Sequence, residues 1–476
     1  MATPIPSNRC AFTFTEIANA VGASLPQAHV SSTSSISIDS RSTGPGALFL
    51  ALRAVRDGHD FLERAAQAGV SAAIVEHGRS MLGLPCFEVD DTLLALGHLA
   101  RAHLDRIRRS QALPTIAVGG AAGKTTTKEL TAAISRALWG ETLATLGNLN
   151  NLIGVPMMIF TLEKRHRAAV IECGTNQRGE IARLAAIVCP DSALVLNVDI
   201  EHTEGLGSLA GVADEEARLF TTARCAVVST EEKLLLERVP ADKPRLTFGA
   251  ATFADVRIAN RTIISAGQQH VTLELHPRLV ERPADKLFEF ELNLLGATAA
   301  NNSAAALAAV AGAIARPLRR DELRAIASSL RDVKAVDGRL QLRDCGGIVV
   351  IDDSYNSNPR SLRAALATAR QTADGLRARL VVAIGDMLEL GDLAAEMHRE
   401  ALGDISQVKP DATILVGPEM IAAAKAFAPR GDLVTAATSD DAATFVIDRV
   451  GQGDVLLVKG SRGIAMERII ARLPQA

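Results

Sequence analysis

Residues 118–129 read Val118-Gly119-Gly120-Ala121-Ala122-Gly123-Lys124-Thr125-Thr126-Thr127-Lys128-Glu129 and follow directly on the apolar run 115–118. A short apolar strand, a glycine turn and a helix start in that order demand a strand inside a sheet with a helix returning over its face. Gly120 and Gly123 let successive amides approach one anion without a clashing Cβ, and the helix adds the positive end of its dipole. Lys124 is then placed for the β- and γ-phosphates of a nucleotide, and Thr125 for Mg2+. The general P-loop has four residues between its glycines, and here Val118 stands at the first glycine's position. The motif is therefore the shorter Gly-x-x-Gly-Lys-Thr, and Gly120, Ala121, Ala122, Gly123, Lys124, Thr125 and Thr126 form the expected nucleotide-contacting segment.

A chain of 476 residues exceeds one core and predicts three units. The first spans 1–88, with a helix at 15–21, strands at 36–39, 47–51 and 72–75, and a helix at 60–68. A helix over 91–110 and the break at Pro114 lead into the second unit, 89–325, whose alternating strands and helices predict a doubly wound, mostly parallel sheet. Within it, residues 255–291 alternate polar and apolar, which predicts antiparallel strands. The third unit, 326–476, carries strands at 348–352, 380–384, 412–416 and 455–458, a Rossmann-like order without the G-x-G-x-x-G opening. The class is α/β.

The 51 basic and 54 acidic residues leave a net charge of -3, so no global field favours nucleic acid or an anionic membrane. The six cysteines are scattered, with no C-x-x-C pair, which fits reduced thiols in a cytoplasmic protein. Neither a signal sequence nor an apolar run of about 18 residues is apparent, so no membrane insertion is expected.

Polar clusters fall at strand ends, where open α/β sheets place their sites. The strand 168–171 runs into Glu172-Cys173-Gly174-Thr175-Asn176, and Glu172 is either a Mg2+ ligand or a helix cap. The next strand ends at Asn197 and leads to Glu201-His202-Thr203-Glu204-Gly205, where His202 is a metal ligand or a structural histidine. Gly147-Asn148-Leu149-Asn150-Asn151 offers amides for a sugar or acyl group, or merely turns. Ile351-Asp352-Asp353-Ser354-Tyr355-Asn356-Ser357-Asn358-Pro359 holds the sole tyrosine and either serves a site or caps a helix.

With these stretches in place the chain resembles the Mur ligases of peptidoglycan synthesis over nearly its whole length. The first unit adds Asp39-Ser40-Arg41, Pro45 to Phe49 and Asp57-Gly58-His59-Asp60-Phe61; the third adds Gly338-Arg339-Leu340, Gly385 to Gly391 with His398, and Lys459-Gly460-Ser461-Arg462-Gly463. The wording is similar to the branch that extends the tripeptide. The resemblance implies ATP and Mg2+ as cofactors, and UDP-N-acetylmuramoyl-tripeptide and D-alanyl-D-alanine as substrates, joined by a monomeric cytoplasmic ligase through an acyl phosphate. It also implies a UDP-sugar domain at 1–88, an ATP domain at 89–325 and a closing, amine-binding domain at 326–476. Lys124, Glu172 and His202 are then catalytic, with Thr125, Glu172 and His202 on the metal. Asn302, Arg339, Asn356 and Asn358 join the ATP site, while Ser40, Arg41, Asp57, Gly58, His59, Asn148 and Asn151 contact substrate.

Four departures from the family pattern stand out. Its members usually carry a CO2-carbamylated lysine where this chain has Glu216, which either supplies a permanent metal-binding carboxylate and a catalytic function in its place or belongs to a solvated acidic helix face. Gly119 and Ala121 replace hydroxyl residues. Thr298-Ala299 replaces a His-Asn pair, with Asn302 retained. A glycine and one further residue are missing around Arg53-Ala54-Val55-Arg56. Two other readings stay open: a paralogous ligase joining a different acid and amine, and a non-catalytic ATP-binding homologue.

Overall fold

The computed structural model describes residues 3–200, 203–427 and 432–474. Among them lie three β-sheets of four, nine and six strands, each flanked by helices, so the α/β class and the three-unit order are as expected. The first sheet is wholly parallel, ordered Ser35–Ser37, Ala47–Leu50, Ala72–Glu76, Cys86–Val89. The last of these was not foreseen, because four half-buried residues carry little periodic signal. The helix expected at 60–68 begins instead as a 3-10 turn, Gly58–Phe61, and continues as Leu62–Gln67.

Helix Thr92–Ser110 starts where Asp91 accepts from the Leu93 and Leu94 amides. It packs on strand Ala72–Glu76 and on helices Gly154–Ile159 and Glu180–Val188, so one hydrophobic core runs from the first sheet to one face of the second. The first two units are therefore welded by a shared helix.

The second sheet runs Leu287–Leu292, Gln268–Leu275, Val256–Ser265, Arg245–Gly249, Cys225–Ser229, Ser192–Val195, Thr115–Gly119, Ala168–Glu172, Thr142–Ala144. Only Gln268–Leu275 runs against the others, so its pairings with Val256–Ser265 and Leu287–Leu292 are the antiparallel ones, in the stretch expected to be antiparallel. Its other face is covered by Lys124–Trp139 and the alanine-rich Gly296–Ile314. Gly296–Ile314 is apolar and long enough to cross a bilayer, which the sequence reading did not expect; 72% of its apolar window is buried in the protein. The small side chains let it approach the strands closely.

Strand Thr115–Gly119 lies between Ala168–Glu172 and Ser192–Val195, so the chain leaves it toward both sides. Such a reversal opens a crevice at the carboxyl ends of the strands, and the glycine turn, Glu172 and Asn197 all emerge there. The third sheet, ordered Gln341–Cys345, Ile348–Asp353, Val455–Lys459, Leu380–Gly385, Ala412–Val416, Leu433–Ala436, is parallel apart from its first strand. It presents the carboxyl end of Ile348–Asp353 to the same crevice.

Candidate active site

A cleft of about 480 Å3 lies between the second and third sheets. Its floor is the glycine turn. Gly120 has φ +113°, and a Cβ there would sit 2.8 Å from the Leu196 amide nitrogen, so only glycine fits. The amides of the turn are held from within the protein. Gly120 N–H donates to Glu216 Oε2 (2.9 Å), Ala121 N–H to the Asn197 carbonyl (3.0 Å) and Ala122 N–H to Asn197 Oδ1 (2.8 Å), while Asn197 Nδ2 donates back to the Ala122 carbonyl (2.9 Å).

The expected convergence of all the glycine-turn amides on one anion is thus corrected: three of them serve to shape the turn. The donors left for phosphate are those of Gly123 to Thr126, at the start of helix Lys124–Trp139, where no intrahelical carbonyl is available. Lys124 Nζ lies along the turn, donating to the Gly120 and Ala121 carbonyls. Asn302 stands against Gly123, where a Cβ would come within 3.1 Å of its Oδ1.

Glu172 forms the next wall. Its amide donates to Thr145 Oγ1 and its Oε1 accepts from Asn150 Nδ2, both at 2.9 Å, which fixes the carboxylate. Its Oε2 is buried without a hydrogen-bond partner among the described residues. A buried carboxylate oxygen left unpaired costs free energy, and a divalent cation is the partner that would relieve it beside a phosphate site. Thr125, also buried, lines the same cleft. This donor set, all hard oxygens, fits Mg2+.

The third sheet supplies the roof. Lys459 Nζ donates to Asp353 Oδ2 (2.6 Å) and to the Asn356 carbonyl (2.8 Å), and Asp353 Oδ1 accepts from the Leu340 amide (3.1 Å). Burial pushes the Asp353 carboxyl upward, and the Lys459 ammonium opposes that shift. The buried pair locks the 353–358 turn over the cleft. Arg339 stacks on Tyr355 at 4.3 Å from the ring centroid. Asn358 caps helix Pro359–Leu376 by accepting from the Ser361 amide at 2.8 Å, so its side chain does structural duty while lining the cleft.

Arg360 closes the gap between the two sheets. Its amide donates to Asp199 Oδ2 (2.8 Å) and its guanidinium to Glu232 Oε1 (2.5 Å) and the Val198 carbonyl (3.4 Å).

Of the expected residues, Ala121 to Thr126, Asn148, Asn151, Glu172, Asn302, Arg339, Asn356 and Asn358 all line this cleft. Asn151 caps helix Gly154–Ile159, accepting from the Ile153 and Gly154 amides, and it is Asn150 rather than its neighbours that reaches Glu172. His202 lies outside the described residues. Glu216, expected on the metal, is buried behind the glycine turn and does not line the cleft. The first-unit residues also lie off its lining: Arg41 pairs with Asp39, Ser40 is buried, and Gly58 packs on Leu52. His59 Nδ1 bonds Asp57 Oδ1 (2.6 Å) and its Nε2 accepts from the Glu76 amide (3.0 Å), which makes it an internal pin.

Asn197 and Arg360 are site residues that the sequence left without a role, and Asn150 and Lys459 lie in stretches it marked without giving either residue its own. Lys459 ends a buried strand, Val455–Lys459, and Asn197 lies just beyond the end of another, Ser192–Val195, a signal that could have marked both.

Three family models match the chain: "Mur ligase family, catalytic domain" over residues 32–104, "Mur ligase middle domain" over 118–310 and "Mur ligase, glutamate ligase domain" over 338–462. The chain belongs to the Mur ligase family. Among this Mur ligase's relatives is the Escherichia coli UDP-N-acetylmuramoyl-tripeptide--D-alanyl-D-alanine ligase, 34% identical over 454 residues and covering 92% of this chain and 93% of that one. The Haemophilus influenzae enzyme of the same name is 30% identical at the same coverage of both chains. A crystal structure of MurF from Acinetobacter baumannii superposes with a TM-score of 0.85 at 28% identity, covering 98% of this chain and 99% of that one. MurF from Thermotoga maritima, solved with ADP, gives 0.78 at 25% identity, covering 92% of this chain and 96% of that one.

Proposed function

We propose that this Mur ligase joins D-alanyl-D-alanine to UDP-N-acetylmuramoyl-tripeptide at the expense of ATP. The observation that carries the reading is the meeting, in one cleft, of a phosphate-binding helix start, the unpaired carboxylate oxygen of Glu172 and a lysine-locked turn from the third sheet. Relatives of that name match the chain almost end to end.

The amides of Gly123 to Thr126 and the Lys124 ammonium hold the β- and γ-phosphates. Thr125, Glu172 and His202 would hold Mg2+, which would supply positive charge beside the transferring phosphoryl group. The tripeptide's terminal carboxylate oxygen attacks the γ-phosphorus, the bond to ADP breaks, and an acyl phosphate forms. The neutral amine of D-alanyl-D-alanine then attacks the acyl carbon, phosphate departs with the C–O bond's electrons, and the new amide nitrogen loses a proton. Arg339 supplies positive charge at the cleft wall, and the turn bearing Asn356 and Asn358 excludes water from the acyl phosphate.

In this reading residues 1–88 form the UDP-sugar domain, 89–325 the ATP domain and 326–476 the closing domain that receives the amine. Ser40 and Arg41 face the UDP-sugar, while His59 positions the Asp57–Gly58 loop. Asn148 and Asn151 flank the peptide end. The enzyme is cytoplasmic, acts as a monomer and does not insert into membranes.

The test is phosphate release from ATP with both substrates present, with the product identified by mass. Release that depends on both substrates and yields the joined pentapeptide is expected. Release only with another acid or amine replaces the substrate assignment, and no release with any pair overturns the ligase reading.

A further inference from the structure

We infer that Glu216 is a positioning residue for the phosphate site: its buried carboxylate holds the glycine turn from behind, and it can do so only because residue 119 has no side chain. The inference rests on the reading of that turn as a nucleotide site.

Two observations support it. Glu216 ends helix Leu209–Glu216 with 2% of its surface exposed, and its Oε2 accepts the Gly120 amide at 2.9 Å. A Cβ placed on Gly119 would stand 2.8 Å from that same oxygen and 3.1 Å from Leu219 Cδ2. The carboxylate therefore occupies the room that a residue-119 side chain would take. Any such side chain would force that oxygen to shift and would loosen its hold on the Gly120 amide.

The chemistry follows from the bond made. Losing the acceptor would leave the buried Gly120 amide unpaired, which costs free energy. The bond fixes the one residue whose φ of +113° sets the direction of the turn. Asn197 holds the next two residues from the other side. Together they aim the helix-start amides and Lys124 at the phosphates before any nucleotide arrives.

A metal-ligand role for Glu216 makes different demands, so the two can be separated. ADP affinity is measured by calorimetry in EDTA and again in Mg2+, for the wild type, Glu216→Gln, Glu216→Ala, Gly119→Ala and the double variant of the two alanines. Positioning requires that Glu216→Gln, whose amide oxygen still accepts from Gly120, stays close to wild type. Glu216→Ala and Gly119→Ala should each weaken ADP binding on the order of tenfold even in EDTA. The double variant should be little worse than either alone, since both break the same contact.

If Glu216→Gln fails as badly as Glu216→Ala, and the defect appears only with Mg2+, the carboxylate is a metal ligand and the inference is overturned. ADP binding that Glu216→Ala leaves unchanged overturns it as well. A wild-type chain that binds no ADP refutes the nucleotide reading itself, and this inference with it. Should Glu216→Ala fail to fold, Glu216→Gln and Gly119→Ala still decide the matter, because positioning predicts opposite results for them.

Discussion

Replacing Asn197 by alanine removes both side-chain bonds that clamp Ala122, made at 2.8 and 2.9 Å by a residue only 7% exposed. Each bond contributes about 1 kcal/mol net, so the shaped form of the turn loses ~2 kcal/mol relative to its alternatives. Nucleotide binds the shaped form, and the apparent affinity falls in proportion to the fraction of molecules that still adopt it. The loss for ADP is therefore on the order of 30-fold. Asn197→Asp keeps the acceptor for the Ala122 amide but turns the donor into a charged oxygen facing the Ala122 carbonyl and the incoming phosphates, so it should be worse than alanine. Calorimetric ADP titration, with thermal unfolding as a control for global damage, measures both. An Asn197→Ala protein that binds ADP within twofold of wild type, or an Asp variant better than the Ala variant, would refute the reasoning.

Glu172→Gln should bind metal-free ADP normally yet lose roughly a hundredfold in kcat and need more Mg2+, seen as a shifted magnesium titration of phosphate release. Arg360→Ala removes the bonds to Glu232 and the Val198 carbonyl; limited proteolysis of the segment before Gln341–Cys345 should accelerate, while the unfolding midpoint of the first two sheets stays put. His103 donates Nε2–H to the Leu162 carbonyl and accepts from Arg106 at Nδ1, and burial lowers its pKa to about 4. Its folded value lies below the unfolded one, so stability is full above the unfolded pKa and drains as pH falls toward the folded one. About 2 kcal/mol should disappear between roughly pH 7 and pH 5 in urea titrations, and His103→Gln should flatten that slope.

The strands that flank the crevice were legible because each is a run of buried apolar residues ending in a polar one, as in Thr115–Gly119 and Ala168–Glu172. Gln341–Cys345 and Leu433–Ala436 escaped notice, since both are edge strands with largely open faces that need no apolar run. Within the site, Gly123, Lys124, Thr125 and Glu172 could be placed from local pattern alone. Asn197, Lys459 and Arg360 act across 75, 106 and 161 residues of chain, and no local spacing encodes such pairings. Glu216 was picked out by position, but its bond to Gly120 could be seen only once both were in space. His59 shows the converse: its carboxylate partner two residues away was in plain view, but its burial was not.

Asn197, Val198 and Asp199 form a strip of three consecutive residues with two tenants. The first grips the glycine turn, and the other two carry Arg360 from the third sheet. Swinging the third sheet away must pull on the strip that keeps the turn in shape, so opening the cleft and letting go of the spent nucleotide become one event. If that separation sets the pace of turnover, rapid mixing should show a burst of the first product equivalent followed by a slower steady rate.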